Sequence, residues 1–305
     1  MGIKTLGAQT YPAQSVRIIV PTVPAGGVDI MARLVASAFT DSFGQKFFVE
    51  NRTPSMLAAE VVAKAPPNGH TLMVSTATYL VNRLLYKNLN YDPITDLSPI
   101  SLIGSTPIIL VIHPSLPVPS LRELIRLAHR KPGSLNFASG GNGSPLHLAG
   151  ELFNQEAKVN IIHVPYRGTA PATLDLLAGQ TQLMFPSVLS MYPYIQSGKT
   201  RVLSILAPQR SAVLADVPTT AEAGLPHLTA SIWYGLLATG GTPAAIQMDL
   251  YRAMTKALSE PRFQARLARD AVQAIGSTPE AYTQFALEEY EKWGKVIRKA
   301  RIQLD

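Results

Sequence analysis

The run Val16-Arg17-Ile18-Ile19-Val20 is β-branched, closes on Pro21 and a proline–glycine loop, and is followed by apolar residues at helical spacing from Ile30 to Phe39. Strand, loop and helix succeed one another, and the chain then repeats that order. Residues 47–50 and 71–75 read as strands, with 58–64 as the helix between them, closed by Pro66-Pro67-Asn68-Gly69. Two further runs, 100–103 and 108–113, are separated at Gly104. Next come helix 120–130, strand 136–138, helix 145–155, strand 161–164, helix 171–178 and strands 182–185 and 201–206. Residues 233–238 form a returning strand, and 244–258, 261–270 and 279–301 the terminal helices. Strands alternating with helices predict an α/β fold with crossover connections.

A chain of 305 residues is about twice the ~150 expected of one domain. Two lobes are therefore expected: residues 11–104 with 233–305 as the first, and 105–232 as the second. The chain leaves the first lobe and returns to it, and a cleft is expected between them. Hydrophobic residues at 47% against 15% charged can fill a large core and exclude disorder.

There are no cysteines, which removes disulfides, thiolate metal sites and cysteine nucleophiles. The net charge of +7 would suit nucleic acid, an anionic surface or anionic solutes. Its carriers are dispersed, with one cluster at Lys292, Lys295, Arg298, Lys299 and Arg301, so nucleic acid is disfavoured. No apolar run approaches the ~20 residues of a membrane-spanning helix, so a soluble protein is expected. Met1 to Thr10 lacks the apolar stretch of a signal peptide, which leaves either a cytoplasmic protein or a leader replaced by Met-Gly.

Three loops share one design, a strand end, a turn rich in glycine or threonine, and a helix start. They are Pro24-Ala25-Gly26-Gly27-Val28-Asp29, Ser139-Gly140-Gly141-Asn142-Gly143-Ser144-Pro145 and Tyr166-Arg167-Gly168-Thr169-Ala170-Pro171. Glycine lets a backbone approach a ligand closely, and the first-turn N–H groups of a helix attract an anion. Pro145 and Pro171 suit first-turn positions and Ser144 suits an N-cap. A glycine at a strand–helix turn can also be no more than a tight connection. No phosphate-binding G-x-x-x-x-G-K-[ST] and no dinucleotide-binding G-x-G-x-x-G occurs, so those ligands lack their anchors.

Enzyme and metal readings are thin. Ser144 and His147 invite a nucleophile–base pairing, but at i and i+3 on one helix start the ring points along the helix, and there is no G-x-S-x-G. His147, Glu151 and His163 are candidate metal ligands without a full set. Asp29 and Arg33, at i and i+4, are expected to pair. Tyr79, Asn82, Tyr192 and Tyr194 either line the cleft or lie elsewhere on the surface, and Arg167 is either a ligand contact or a solvated loop cation.

The stretch Tyr11-Pro12…Val16-Arg17-Ile18-Ile19-Val20-Pro21…Gly26-Gly27-Val28-Asp29-Ile30-Met31-Ala32-Arg33 resembles the opening of the tripartite tricarboxylate transporter solute receptors, the Bug family. Similar stretches follow at Val49-Glu50-Asn51-Arg52, Pro67-Asn68-Gly69-His70-Thr71-Leu72, Asp96-Leu97-Ser98-Pro99-Ile100, His147-Leu148-Ala149-Gly150-Glu151-Leu152-Phe153, His163-Val164-Pro165-Tyr166-Arg167-Gly168-Thr169-Ala170-Pro171-Ala172 and Trp233-Tyr234-Gly235. The resemblance covers about residues 11–295. It implies a two-lobed type II periplasmic-binding-protein fold, each lobe a mixed sheet flanked by helices. It also implies capture of a small organic carboxylate, delivery to a membrane permease, no catalysis, no cofactor, no metal, action as a monomer, and a periplasmic protein whose leader has been removed. A dicarboxylate is the expected ligand class.

Matched residue by residue, it implies ligand contacts at Ala25, Gly26, Gly27 and Asp29, at Ser139, Gly143 and Ser144, and at Tyr166, Gly168, Thr169 and Ala170. Thr76 and Ser187, at strand ends, complete the set. One departure is Thr53-Pro54-Ser55-Met56-Leu57, where the family carries a glycine-rich loop. A bulkier, stiffer segment there is expected to favour a longer or more apolar ligand, with Met56 able to adapt to it. Two rivals remain, a ligand sensor that signals to a partner protein and a hydrolase using Ser144 and His147.

Overall fold

A computed structural model describes residues 11–304 apart from Asp270. The reading of Met1 to Thr10 and the last residue of the expected helix 261–270 lie outside these residues. The strands form two sheets. The first contains β1 (Val16–Val20), β2 (Phe47–Asn51), β3 (Thr71–Ser75), β4 (Leu97–Pro107), β10 (Ser231–Thr239) and β11 (Gln273–Ala274), in the order β11-β4-β10-β3-β1-β2. The second contains β5 (Ile109–Ile112), β6 (Asn136–Ser139), β7 (Ile162–Pro165), β8 (Leu183–Met184) and β9 (Arg201–Ile205), in the order β7-β6-β8-β5-β9.

Both sheets are mixed. β1 runs parallel to β2 and β3, whereas β10 is antiparallel to β3 and β4. In the second sheet β6 is parallel to β7 and β8, and β5 is antiparallel to β8 and β9. The two-lobed α/β architecture expected from the sequence is therefore present.

The helices are α1 (Gly27–Phe43), α2 (Ser55–Ala63), α3 (Thr78–Leu85), α4 (Leu121–Arg130), α5 (Pro145–Ala157), α6 (Thr169–Leu177), α7 (Val188–Gln196), α8 (Ala244–Ser259), α9 (Pro261–Arg269) and α10 (Pro279–Ala300). Most lie where hydrophobic periodicity placed them. α3 and α7 were not expected: α3 opens on the strand-like Thr78-Tyr79, and α7 carries Pro193 in its interior. α6 starts at Thr169, two residues before Pro171, because Gly168 turns the chain.

Gly104 does not divide two strands. It lies within β4, opposite Tyr234 of β10 on one side and Ala274 of β11 on the other. A Cβ there would stand 2.5 Å from the Gln273 carbonyl oxygen, so the glycine is what admits β11 to the sheet edge. The chain leaves the first sheet after Pro107 and returns at Ser231. The two crossings are tied together, Ile108 N–H donating to the Ala230 carbonyl at 3.3 Å.

Burial follows from the sequence pattern. Val16, Ile18, Ile19 and Val20 are wholly buried, as expected of a strand covered on both faces. Trp233 on β10 and Trp293 on α10 both donate their indole N–H to one carboxylate oxygen, Glu289 Oε2, at 2.8 Å. That shared acceptor satisfies two buried donors and pins α10 against β10.

Candidate functional site

Because β1, β2 and β3 are parallel, the loops leaving them reach one rim of the first sheet. Parallelism of β6, β7 and β8 does the same for the second, and in α/β sheets such rims hold ligands. The two rims face each other. A Cβ built on Gly168 would stand 3.1 Å from Val23 Cγ2, and one on Gly143 would run into Leu85 Cδ1, with Val81 Cγ2 at 3.5 Å. The α1 loop thus meets the α6 loop, and α3 meets the α5 loop.

The first mouth is organised by Asp29, which is 2% exposed. Its carboxylate accepts three hydrogen bonds, each 2.9 Å, from Ala25 N–H, Arg33 Nε and Asn51 Nδ2. Burial pushes this carboxyl up, but the bonds from Arg33, Ala25 and Asn51 outweigh it and hold the group below the usual carboxylate range. Asp29 therefore faces inward, as the expected pairing with Arg33 requires. Its hold on Ala25 keeps that residue at φ 68°, a left-handed conformation an alanine rarely adopts. Asn51 also donates to the Thr22 carbonyl, closing the loop from the far side.

The consequence is an open helix start. Gly26 is the N-cap of α1 and no side chain caps it, so the first-turn amides are left to an outside acceptor. Thr22 Oγ1 is buried in this loop with no hydrogen-bond partner among the described residues. Gly27 admits Tyr234 beneath the helix start, for a Cβ would lie 2.9 Å from the phenol oxygen.

α6 is built alike. Gly168, at φ 111° and ψ 167°, is its N-cap without a side-chain cap, and its own N–H donates to the Gly140 carbonyl at 3.2 Å. Thr169 and Ala170 present the first-turn amides, while Pro171 has none. Tyr166 donates its hydroxyl proton to Asp175 Oδ2 at 2.7 Å, which leaves the phenol oxygen as an acceptor only. Burial and that carboxylate push the phenol up to about 12. Arg167 is exposed at this mouth and has no ion-pair partner among the described residues.

The α5 mouth differs, although the sequence made it look the most glycine-rich. Ser144 caps the helix, accepting His147 N–H at 3.3 Å, and Pro145 supplies no donor. Gly143 N–H is taken by His147 Nδ1 at 3.0 Å, and Gly141 N–H by Ser139 Oγ at 3.1 Å. Ser139 itself is wholly buried, its hydroxyl 2.6 Å from His163 Nε2. Thr76 Oγ1 sits 3.0 Å from Thr78 Oγ1 at the start of α3, and Ser187 caps α7 by accepting Ser190 N–H.

The remaining candidates separate cleanly. Tyr79 is buried edge-on against Trp233, and Asn82 is buried between Ser55 and Tyr91, so neither is a free surface group. Tyr192 is exposed. Thr53-Pro54 leads into α2, whose Leu57 is half exposed on the α1 rim. No group of three or more His, Cys, Asp and Glu residues suited to a metal occurs among the described residues. Ser144 Oγ accepts the backbone N–H of His147 and His147 Nδ1 accepts Gly143 N–H, bonds that serve the helix start and the loop. Asn51 stood in a stretch that carries the family resemblance without a role assigned to it, and Val23 and Leu85, which also shape the mouths, become informative only once the rims are opposed.

Two α/β lobes with opposed loop rims are the architecture of the periplasmic binding proteins. The comparisons agree: residues 31–302 match the family described as "Tripartite tricarboxylate transporter family receptor", and the chain belongs to it. BugT of Bordetella pertussis is 34% identical over 303 residues, 98% of this chain and 93% of that one. Among solved structures, the R. palustris protein Rpa4515 with adipate superposes with a TM-score of 0.91 at 32% identity, covering 96% of this chain and all of the other. MatC from Rhodopseudomonas palustris with bound malate gives 0.88 at 32%, covering 94% and 100%. Members of the family are periplasmic solute-binding receptors. No helix among the described residues is long and apolar enough to cross a membrane.

Proposed function

We propose that this chain is a periplasmic receptor that captures a small organic dicarboxylate between its lobes and hands it to a membrane permease, without chemistry and as a monomer. The lobes divide near Ile108 and Ala230, where the chain passes between the sheets. The observation that carries the reading is the opposition of two uncapped, glycine-started helices, α1 and α6, from different sheets. Each can hold one carboxylate on backbone amides, with the dipole adding about 0.3–1 kcal/mol and up to ~2 where partly buried. A ligand with two carboxylates satisfies both mouths at once, which favours the closed form.

Adipate in Rpa4515 and malate in MatC support the ligand class. Leu57 on the α1 rim favours the longer, more apolar members of it. The +7 charge acts from outside, drawing anions toward the cleft, and the exposed Arg167 on the α6 loop is one of its carriers. A thermal-shift screen of mono- and dicarboxylates of two to eight carbons tests this. A ligand at 100 times its Kd stabilises by about 2.7 kcal/mol. If uncharged solutes shift the melting temperature and no dicarboxylate does, the reading is wrong.

A further inference from the structure

The α5 mouth contains two buried imidazoles that capture of a dicarboxylate by α1 and α6 does not use. His147 is 3% exposed, and its ring lies on that of His163 with centroids 3.8 Å apart and planes within 13°. Phe137 continues the stack, 5.0 Å from His163. The two histidines are sixteen positions apart in sequence, and the parallel pairing of β6 with β7 brings them together. Each holds a different part of the 139–143 loop. His147 accepts the Gly143 amide directly, and His163 contacts Ser139, whose hydroxyl accepts the Gly141 amide.

We infer that His147 and His163 are a pair of neutral positioning residues that draw the Gly141 and Gly143 amides inward and so determine which face of the α5 loop a ligand meets. This rests on the receptor reading for its functional meaning, but not for its geometry. Accepting from Gly143 requires a lone pair on His147 Nδ1, which places the ring proton on Nε2, on the side of Glu151 Oε1 3.8 Å away. The ionisable groups facing His147 are Glu151 on its own helix and His163 from β7.

Two rings stacked this closely disfavour charge on either. Burial, then His163, pulls His147 down to about 3, and burial pulls His163 down to about 4. Glu151 is moved the other way, its carboxyl pushed up by burial. Both rings are thus held neutral at the near-neutral pH at which a carboxylate ligand is ionised, and their acceptor roles toward the loop are kept there. Gly141 and Gly143 are fixed at φ 121° and 72°, so the loop's backbone path and the two acceptors specify each other.

The test uses the full chain labelled with 15N, with and without adipate as probe. Ring-nitrogen shifts of His147 should show an unprotonated Nδ1 and a protonated Nε2 at pH 7, unchanged to pH 5. In His147→Leu the Gly143 amide should exchange about fivefold faster, the worth of one neutral hydrogen bond, and adipate should bind more weakly through the loosened loop. His147→Asn, whose Oδ1 can take the place of Nδ1, should restore most of both. A protonated Nδ1 at pH 7, or a folded His147→Leu variant with unchanged Gly143 exchange, overturns the proposal. Should the wild type fail to bind adipate or any other dicarboxylate while the tautomer and exchange results hold, the receptor reading falls and the positioning role stands.

Discussion

Gly168→Ala probes the α6 mouth at its N-cap. The backbone there, φ 111° and ψ 167°, lies in a region essentially reserved for glycine, and a residue forced into it costs about 1–3 kcal/mol. The new Cβ would also press on Val23 Cγ2 at 3.1 Å, tighter than ordinary contact. With an unfolding entropy of about 2.1 cal/mol/K per residue, a 305-residue chain losing ~2 kcal/mol should melt about 3 °C lower. If the chain relaxes instead, Thr169 and Ala170 turn their amides away from the cleft. Each charge-assisted bond is worth about 1.5–3 kcal/mol, so losing one weakens a dicarboxylate at least tenfold. Gly44→Ala is the control: at φ 67° it is also left-handed, but nothing lies within 4 Å of its added Cβ and it caps the far end of α1. It should cost about 1–2 kcal/mol and leave affinity unchanged. Calorimetric titration with adipate, beside differential scanning fluorimetry, reads both quantities. A Gly168→Ala protein that melts within about 1 °C of wild type, its strain having been relaxed, yet binds adipate within twofold of wild type would refute the assignment of a carboxylate to α6.

Asp29→Asn should destabilise by about 1–3 kcal/mol, since an amide cannot reproduce three accepted bonds. Asp29's folded carboxyl titrates below its unfolded value, so its contribution is present above about pH 4 and fades as acid approaches the folded value; the gap in melting temperature between wild type and variant should shrink on that side. Ser144→Ala should cost about 1 kcal/mol as a lost cap, with no esterase or amidase activity to lose; measurable hydrolysis abolished by this change would revive the enzyme reading. Glu289→Leu strands two buried indole donors, and a loss of about 2–4 kcal/mol should accompany a shift in the emission of the chain's two tryptophans.

Much of the fold was legible because β1, β3, α1 and α5 obey period and capping rules within a few residues of sequence. What escaped depended on partners far along the chain. Gly104 reads as a break because glycine weakens a strand locally, yet its cause is β11, some 170 residues on. α3 and α7 were missed because packing overrides a poor local signal at Thr78-Tyr79 and Pro193. At the site, all three glycine loops look alike in sequence. Only the opposition of the rims and the bonds made by His147 and Ser139 show that α1 and α6 are open while the α5 loop has its amides committed. Tyr166 and Asp29 were recognisable as residues of the mouths, but that their polar atoms turn inward is a matter of Asp175 and Asn51, which sequence spacing does not place.

The central claim is that neutral backbone dipoles of two opposed helices hold a two-ended anion. A crystal structure of the chain with adipate tests it most directly. One carboxylate should lie about 2.7–3.1 Å from first-turn amides of α1, near Gly27 and Val28, and the other from those of α6, at Thr169 and Ala170, directly or through one water. Adipate held chiefly by the Arg167 guanidinium, or lying away from both helix starts, would contradict the account.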